Sequence, residues 1–475
     1  MGSCTNKTST GDCIKVNLIK VSNKHLTVSS GDFIKATSNK LQSKYQILKF
    51  LGQGSFAKVY LCLNLLSGQG VALKVAKKSK LSAEMCDETL KLKEAEILSA
   101  LDHPNIIKCL EVVEEATQII LVEEFARCGS LAGYFRSVNM NLDEKSIILI
   151  MKQILSALVY MHNRGVVHRD IKLENIFLSS VPNLEVKIGD FGNAVFKDSQ
   201  EHISGLRGTL LYLAPEILTN RYTEKVDIWS CGILLFILLK KKLPYSFKNK
   251  ENLMEILKKN PISHILPELK SLPPDCSAFI KCLLNPDPQL RSSAKQALKH
   301  PWLQKYSEET QEISQKISKK IVNPQTKSQL KKLFSLYICS FLLNSDQTRE
   351  YLKIFQKIDV DKNGTIEKTE LKNLLKTQFS EIKAEQIAEN FFCQYDLNSN
   401  GVIDYSEFLL ATCSEKIVLD EKNIEKVFME VDKAKTGFVT ISDIEIWGGV
   451  QIDGILKGMD LKRKMRIDEI KRILL

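Results

Sequence analysis

The chain has 475 residues, 44% of them hydrophobic, and a formal net charge of +11. This length predicts two to four domains, each able to bury a core. The twelve cysteines are scattered without a C-x-x-C pair, which argues against a disulfide scaffold and favours reduced thiols in the cytosol. The charge fits a solvated lysine-rich surface, with acidic membranes or partners as the alternative and no indication of nucleic acid. No secretory signal is evident, and no run of 18 apolar residues predicts a membrane span, since residues 228–239 are too short.

Residues 1–44 are rich in Ser, Thr, Asn and Lys, which predicts a disordered tail. Gly2 is a candidate acceptor of myristate and Cys4 of palmitate. Two such chains would anchor the protein to a membrane. Because Asn6 stands where Ser or Thr is favoured, an unmodified tail remains the alternative. The expected location is the cytoplasm, with membrane association if the tail is acylated.

A strand beginning at Tyr45 leads into a glycine-rich turn around Gly52 and Gly54. Such a turn brings backbone N–H groups close to phosphates, although an ordinary hairpin has the same pattern. The next predicted strand ends in Val71-Ala72-Leu73-Lys74, and a helix over residues 87–100 carries Glu94. We expect Glu94 to pair with Lys74. Glu96 is the rival partner, and an ordinary surface lysine is the alternative for Lys74.

A polar run from His168 to Asn175 lies between apolar segments. Within it, Asp170 could accept a proton from a hydroxyl, Lys172 could steady a phosphoryl oxygen, and Asn175 could hold a metal ion. A later strand ends at Asp190-Phe191-Gly192, twenty residues after Asp170. An ordinary polar loop and a D-x-G turn are the alternatives, but the shared order and spacing favour a catalytic site.

The motifs occur in the order of a known fold, and residues 45–303 resemble a serine/threonine protein kinase. The resemblance implies Asp170 as catalytic base, Lys172 as phosphoryl stabiliser, and Asn175 and Asp190 as ligands of Mg²⁺. It implies that ATP is bound by Leu51, Gly52, Gln53, Gly54, Ser55, Phe56, Ala57, Val59, Ala72, Lys74, Glu94 and Glu124. Lys172 points to Ser/Thr substrates. A pseudokinase normally lacks one of these key residues, and this chain retains them.

Three positions depart from the kinase pattern. Glu123 stands at the back of the expected adenine pocket, where apolar side chains are usual, so it must be solvated or paired. Ser130 replaces a frequent Glu that contacts ribose or a basic substrate. Gly205 occupies the usual place of an activating phosphosite, so that phosphorylation of this loop is not required by the sequence.

Two twelve-residue loops at 359–370 and 396–407 fit the EF-hand pattern and predict a pair of calcium sites. Acidic loops with one glycine would be the alternative, but two matches at this spacing favour calcium. The expected ligands are Asp359, Asp361, Asn363, Thr365 and Glu370 in the first loop, and Asp396, Asn398, Asn400, Val402 and Glu407 in the second.

Two further loops are weaker. Residues 432–443 keep Gly437 but place Ala434 at the third position and the short Asp443 at the twelfth, which predicts weak calcium binding or none. A fourth loop is predicted at 460–471, with Met465 in place of the glycine and Lys471 in place of the final acid.

Residues 304–345 form a basic, amphipathic junction between the kinase and the EF-hands. Such a helix suits a calcium-opened groove, and a linker helix packed on the kinase is the alternative. With the EF-hands over residues 346–475, the chain from 45 onward resembles the calcium-dependent protein kinases of plants and protists. That resemblance implies a junction that blocks the substrate groove until calcium-loaded hands take hold of it.

The predicted fold class is α+β, with a two-lobed kinase fold followed by an all-α, calmodulin-like domain. The predicted activity is calcium-activated transfer of the ATP γ-phosphate to protein Ser/Thr, with ATP, Mg²⁺ and Ca²⁺ as cofactors. A calcium-binding scaffold with a weak kinase domain and a kinase regulated by separate calmodulin remain the alternatives. Phosphate transfer with calcium or a chelator discriminates among them.

Overall fold

The computed structural model describes most of the chain from residue 44 onward. The described residues are 35–36, 44–54, 57–77, 87–115, 118–181, 183–197, 203–259, 261–306, 315–322, 327–343, 345–432, 434–448 and 463–475. Gly2, Cys4, Ser55 and Phe56, for which lipidation or ATP binding was predicted, lie outside them.

Among the described residues, a six-stranded sheet and one helix form the first lobe. In sheet order β1-β5-β6-β4-β3-β2, all neighbours are antiparallel except the parallel β1–β5 pair. Opposite Ala72 in β4 stands Glu123 in β6, so these residues and Lys74, two places along β4, share one face. The elements are β1 Lys35–Ala36, β2 Tyr45–Gln53, β3 Ala57–Asn64, β4 Gly70–Lys77, α1 Asp87–Ser99, β5 Cys109–Glu114 and β6 Gln118–Glu124.

The second lobe is mostly helical and contains the larger kinase core. Its elements are α2 Leu131–Ser137, α3 Glu144–Asn163, β7 Val166–Val167, β8 Ile176–Ser180, β9 Glu185–Ile188, β10 Val195–Phe196, α4 Lys225–Lys240, α5 Lys250–Lys259, α6 Leu266–Leu269, α7 Pro274–Leu283, α8 Ala294–Leu298 and α9 Pro301–Gln304. Asp143 caps α3 by accepting a hydrogen bond from the backbone N–H of Ser146 at 2.8 Å.

Helix α3 resembles a membrane span in length and composition but is buried in the kinase domain. By length and composition it is apolar enough to cross a membrane, although lysines interrupt its apolar residues, so that it contains no uninterrupted apolar run of 18 residues. Two thirds of its apolar window is buried, and eleven of its side chains lie in the kinase core. It is therefore a core helix of the kinase domain.

The described part of the C-terminal region is helical apart from two short strands. Ile366 of β11 pairs with Ile403 of β12, joining the first two loops back to back. A π-helical turn, Ile338–Leu342, follows the junction helix α11. The elements are α10 Gln315–Val322, α11 Gln329–Tyr337, α12 Ser345–Ile358, β11 Ile366–Glu367, α13 Lys368–Leu375, α14 Glu381–Tyr395, β12 Val402–Ile403, α15 Tyr405–Thr412, α16 Glu415–Val418, α17 Glu421–Val431, α18 Ile441–Gly448 and α19 Ile467–Leu474.

The fourth loop was predicted in the wrong register. In the first pair, the residues bridging the loops occupy the eighth position of each loop. In the second pair Val439, eighth in 432–443, bridges Met465. Met465 is therefore eighth rather than sixth, and the loop covers 458–469, of which 458–462 are not described. Glu469 is its twelfth residue and caps α19 by accepting from the Arg466 N–H at 3.0 Å.

The kinase and the calcium region are built around separate apolar clusters, which confirms the predicted fold class. The junction belongs to both. Leu333 and Phe334 of α11 lie in the calcium-region core, whereas Phe341 of the π turn packs on the kinase core. The Gln69 amide donates to the Leu342 carbonyl at 2.9 Å, which holds the end of the junction against the first lobe.

Candidate active site and calcium loops

Lys74 lies at the centre of a charged cluster in the cleft between the kinase lobes. Its Nζ is 2.6 Å from Glu94 Oε1 and 2.7 Å from Asp190 Oδ1. Burial alone would lower the pKa of Lys74, but the surrounding carboxylates raise it. The same ammonium holds the pKa of Asp190 below its usual value despite burial. The rival Glu96 is exposed, so α1 presents Glu94 to the cleft.

Asp170 is held by a second network. Its Oδ1 accepts from the Thr209 hydroxyl at 2.8 Å, and its Oδ2 accepts from Lys172 at 2.7 Å and from the Asn175 amide at 3.1 Å. Lys172 also donates to the Thr209 hydroxyl at 2.8 Å. These bonds fix the orientation of the carboxylate, which a base must have to accept a proton from a positioned hydroxyl.

Asn175 and Asp190 are the metal-binding candidates. Asn175 bonds to both the backbone and the side chain of Asp170. Asp190 adopts a left-handed backbone with φ of 60°, and the following Phe191 is buried with its ring 4.9 Å from that of His168. A carboxylate and an amide oxygen are ligands that suit a divalent metal on ATP phosphates, so the donor set fits the predicted group.

The activation segment is anchored by a tyrosine. Arg169 donates from Nε to the Asn193 carbonyl at 2.6 Å and from Nη1 to the Tyr222 hydroxyl at 3.2 Å. The Tyr222 hydroxyl in turn donates to the Gly205 carbonyl at 2.7 Å. A neutral side chain thus contacts Arg169 and the segment together. Sequence reasoning missed Tyr222, because nothing local marks a tyrosine 53 residues away as a partner of Arg169.

The remaining predicted nucleotide residues occupy the expected strands. Ala72 is buried in β4, while Leu51 is exposed on β2. The Glu124 carboxylate, at the end of β6, pairs with Lys187 at 3.0 Å. Gly52, Gln53, Gly54, Ala57 and Val59 line the β2–β3 turn, where the Gly54 N–H donates to the Ala57 carbonyl at 2.9 Å.

Glu123 is the unusual member of the cleft. Its Oε1 is buried without a hydrogen-bond partner among the described residues. Burial raises the pKa of Glu123 to about 8; Lys74 opposes this rise, while Glu94 and Asp190 add to it. The carboxyl that the sequence placed in the pocket is therefore largely protonated near neutral pH.

A change to Glu123→Gln tests this assignment. Ionisation of wild-type Glu123 above pH 8 adds a negative charge near the expected phosphate site, so KM for ATP should rise about threefold between pH 7 and pH 9. The variant should lose this rise, as measured by initial rates at several ATP concentrations. If KM for ATP rose equally with pH in the variant and the wild type, the assignment would be wrong.

The same group affects folding. Because its folded pKa lies above the unfolded value of ~4.3, Glu123 costs stability increasingly as the pH rises towards 8. Thermal unfolding should show the variant melting higher than the wild type at pH 8 but not at pH 4.

The first calcium loop has the geometry of a metal site. Carboxylate oxygens of Asp359, Asp361 and Glu370 lie within 4.8 Å of one another. Asp359 accepts from the N–H groups of Asn363 and Gly364, both at 3.0 Å, which closes the loop. Burial raises the pKa of Asp359 to about 7. Closely packed acids of this kind are stabilised by a divalent cation, so the donors fit calcium. Thr365 completes the predicted set.

The second loop repeats this arrangement. Asp396 accepts from the N–H groups of Asn400 and Gly401 at 3.1 and 3.0 Å. Glu407 accepts from the N–H groups of Leu397 and Asp404, both at 2.9 Å. Its pKa is raised well above the usual value by burial. Asn398 and Val402 supply the other predicted oxygens from the same loop.

The third loop keeps its shape without the usual ligands. Asp432 accepts from Gly437, which has φ of 79°. The short Asp443, however, accepts from the hydroxyl and the N–H of Thr440 at 2.7 and 2.8 Å. Weak calcium binding or none therefore stays the prediction for this loop.

Comparison with known proteins agrees with this geometry. A family model of the protein kinase domain matches residues 45–303, and a model of the EF-hand domain pair matches residues 348–413. Calcium-dependent protein kinase 4 of Plasmodium berghei (strain Anka) is 32% identical over 448 residues, covering 91% of this chain and 84% of the relative. Its namesake in Plasmodium falciparum (isolate 3D7) is 31% identical, covering 92% and 87%. Calcium-dependent protein kinase 21 of Arabidopsis thaliana is 30% identical, covering 84% and 75%.

These matches confirm the family predicted from the motifs. They also support ATP and a divalent metal for the kinase domain and calcium for the EF-hands. The chain belongs to the calcium-dependent protein kinase family and is a Ser/Thr protein kinase that carries its own EF-hands.

Proposed function

We propose that this kinase is switched by release of its junction: without calcium the junction blocks the substrate cleft, and calcium-loaded hands withdraw it. The observation that carries this proposal is the burial of helix α11 inside the calcium region. Leu330, Leu333 and Phe334 are each at most 2% exposed. A helix enclosed in this way cannot also occupy the substrate cleft, so the arrangement corresponds to the released state.

Aromatic contacts link α11 to the second pair of hands. The ring of Phe334 is 5.8 Å from that of Trp447, and the ring of Tyr337 is 5.0 Å from it. A Cβ on Gly448 would lie 2.8 Å from Leu333 Cδ2, so the end of α18 approaches the junction closely. The second pair of hands therefore holds the junction through apolar and aromatic contacts.

Junction lysines hold the first pair of hands by another chemistry. Lys327 donates to the Leu410 carbonyl at 2.8 Å and Lys320 to the Thr412 carbonyl at 2.9 Å, both in the last turn of α15. Lys332 donates to the Gln394 carbonyl, near the end of α14, at 2.7 Å. Helix C-termini present unpaired carbonyls with partial negative charge, which these ammonium groups satisfy.

For the reaction, we propose Mg²⁺ as the metal that Asn175 and Asp190 hold; when bound, it would neutralise charge on the ATP phosphates. Lys74, oriented by Glu94, positions the phosphates. Asp170 orients the Ser or Thr hydroxyl and accepts its proton, and Lys172 stabilises the transferred phosphoryl group. Positioning and fixed charges supply most of the rate enhancement in this type of reaction.

A calcium titration of Leu333→Asp tests the switch. An aspartate at this site would bury a charge in the calcium-region core, so the junction should not be withdrawn. We expect at least tenfold less phosphate transfer to a basic peptide at saturating calcium than in the wild type. The reason is that the population shifts from the released to the blocked state. Leu290→Asp, which makes the same change at a kinase side chain that is 72% exposed, is the matched control.

Two outcomes would contradict the switch. One is wild-type transfer that persists unchanged in a calcium chelator. The other is a Leu333→Asp enzyme that calcium activates normally.

We also propose a cytoplasmic enzyme that associates with membranes if Gly2 and Cys4 are acylated. Mass spectrometry of the mature N-terminus tests this directly, and an unmodified Gly2 would exclude the double anchor.

A further inference from the structure

The calcium loops themselves lie against the kinase. At the first loop, a Cβ on Gly364 would come within 2.9 Å of Tyr160 Cδ2 and 2.8 Å of His103 Nε2. Ser156 Oγ donates to the Lys362 carbonyl at 3.4 Å. Gly364 has φ of 78°, as the EF-hand turn requires. The residue that shapes the ion site therefore also packs on helix α3 of the kinase.

Two kinase cations pair with calcium-loop carboxylates. Lys295 Nζ is 2.8 Å from Asp361 Oδ2, and Arg164 Nη2 is 2.8 Å from Asp404 Oδ1. Asp361 is third in its loop and Asp404 ninth, positions that face the ion directly or through water.

Each pair uses only one oxygen of the carboxylate. Asp361 Oδ1 accepts from the Asn363 N–H at 3.1 Å. Asp404 Oδ2 accepts from the side-chain amides of Asn398 and Asn400 at 3.2 and 3.3 Å. Each kinase cation thus pairs with one oxygen of its carboxylate, Asp361 Oδ2 or Asp404 Oδ1. The other oxygen of each carboxylate accepts hydrogen bonds from within the loop.

The contact at the second loop is the firmer of the two. The Arg164 guanidinium lies 3.8 Å from the centre of the Tyr160 ring, and its side chain is 27% exposed, whereas that of Lys295 is 49% exposed. Exposed pairs contribute little, so Arg164 should contribute more. Asp102 adds a further contact by accepting from the Ser406 N–H at 3.3 Å.

We propose that Asp102, His103, Ser156, Arg164 and Lys295 form a docking surface for the calcium loops in their ion-binding shape, and that docking raises the calcium affinity of those loops. The proposal rests on the calcium switch proposed above and deepens it. Docking requires the closed loop, and calcium stabilises the closed loop. Binding linkage is reciprocal, so the kinase must then favour calcium by the same factor.

Repulsion between the kinase cations and calcium opposes this effect. Each cation, however, pairs with a loop carboxylate that offsets its charge, and solvent screens the exposed Lys295. The contacts of Lys362 and Gly364, by contrast, fix backbone that calcium would otherwise have to order. We therefore expect the ordering effect to exceed the repulsion.

Isothermal titration of calcium into the full chain tests the proposal. The double variant Arg164→Gln with Lys295→Gln should bind its first two ions about fivefold more weakly than the wild type, at the low end of allosteric coupling. The matched control is Lys242→Gln with Lys259→Gln. These lysines pair with Glu268 and Glu255 on the same lobe, so the control removes equal charge, and its affinity should match the wild type.

Unchanged or tighter calcium binding in the double variant would overturn the proposal. Arg164→Glu, which places a like charge beside Asp404, should weaken binding further, and thermal unfolding in chelator verifies that each variant is folded. Failure of the junction switch has a different readout, because calcium-independent transfer by the wild type would leave these titrations unaffected.

Discussion

Asp170→Asn should reduce phosphate transfer about 10²- to 10⁴-fold, the usual contribution of a positioned general base. The amide cannot take the proton of the substrate hydroxyl, and its NH₂ group cannot accept the bond that Lys172 now donates to Oδ2. KM for ATP should change less than about twofold, because Lys74 and Asp190 remain in place. The measurement is steady-state transfer to a basic peptide at saturating calcium.

A matched control for this change is Glu255→Gln, a surface acid that pairs with Lys259. Its activity should equal that of the wild type. If Asp170→Asn transferred phosphate at the wild-type rate, the kinase chemistry assigned to this loop would be wrong, and the scaffold interpretation would gain support.

Glu370→Gln and Glu407→Gln should each raise the calcium concentration for half-maximal activity about 10-fold or more, comparable to the loss of a metal-site partner. The glutamate at the twelfth position can offer two charged oxygens to calcium, whereas glutamine offers one neutral oxygen. Glu407 is nearly fully buried and Glu370 only partly, so the second loop should show the larger effect. Activity measured against buffered free calcium gives both midpoints.

Glu469→Gln is the control for these two variants. Glu469 is twelfth in the fourth loop, but Gly458, Lys462 and Lys464 occupy the first, fifth and seventh positions of that loop. Changing Glu469 should leave the midpoint within about twofold of the wild type. If the calcium midpoint changed only in Glu469→Gln, the second pair of hands would be the calcium sensor.

Much of this architecture could be predicted from the sequence, because kinase and EF-hand motifs are local and ordered. The alignment of residues 94–98 with the kinase pattern selected Glu94 over Glu96, and Glu94 is the residue that pairs with Lys74. The fourth loop was misplaced because Arg463 replaces its glycine and Gly458 its first acid, and only the bridge between Val439 and Met465 fixes its register. The docking surface could not be predicted from the sequence, because Arg164 and Asp404 are 240 residues apart and no motif links them.

The link from Arg169 through Tyr222 to Gly205 also has a consequence for how the enzyme's signal should end. The partner of Arg169 is a phenol present from synthesis, so this contact forms without a phosphate group. An enzyme ordered by phosphate stays active until a phosphatase acts. Here activity should decay as fast as calcium leaves the loops, so the rate of phosphate transfer should follow the calcium concentration at each moment.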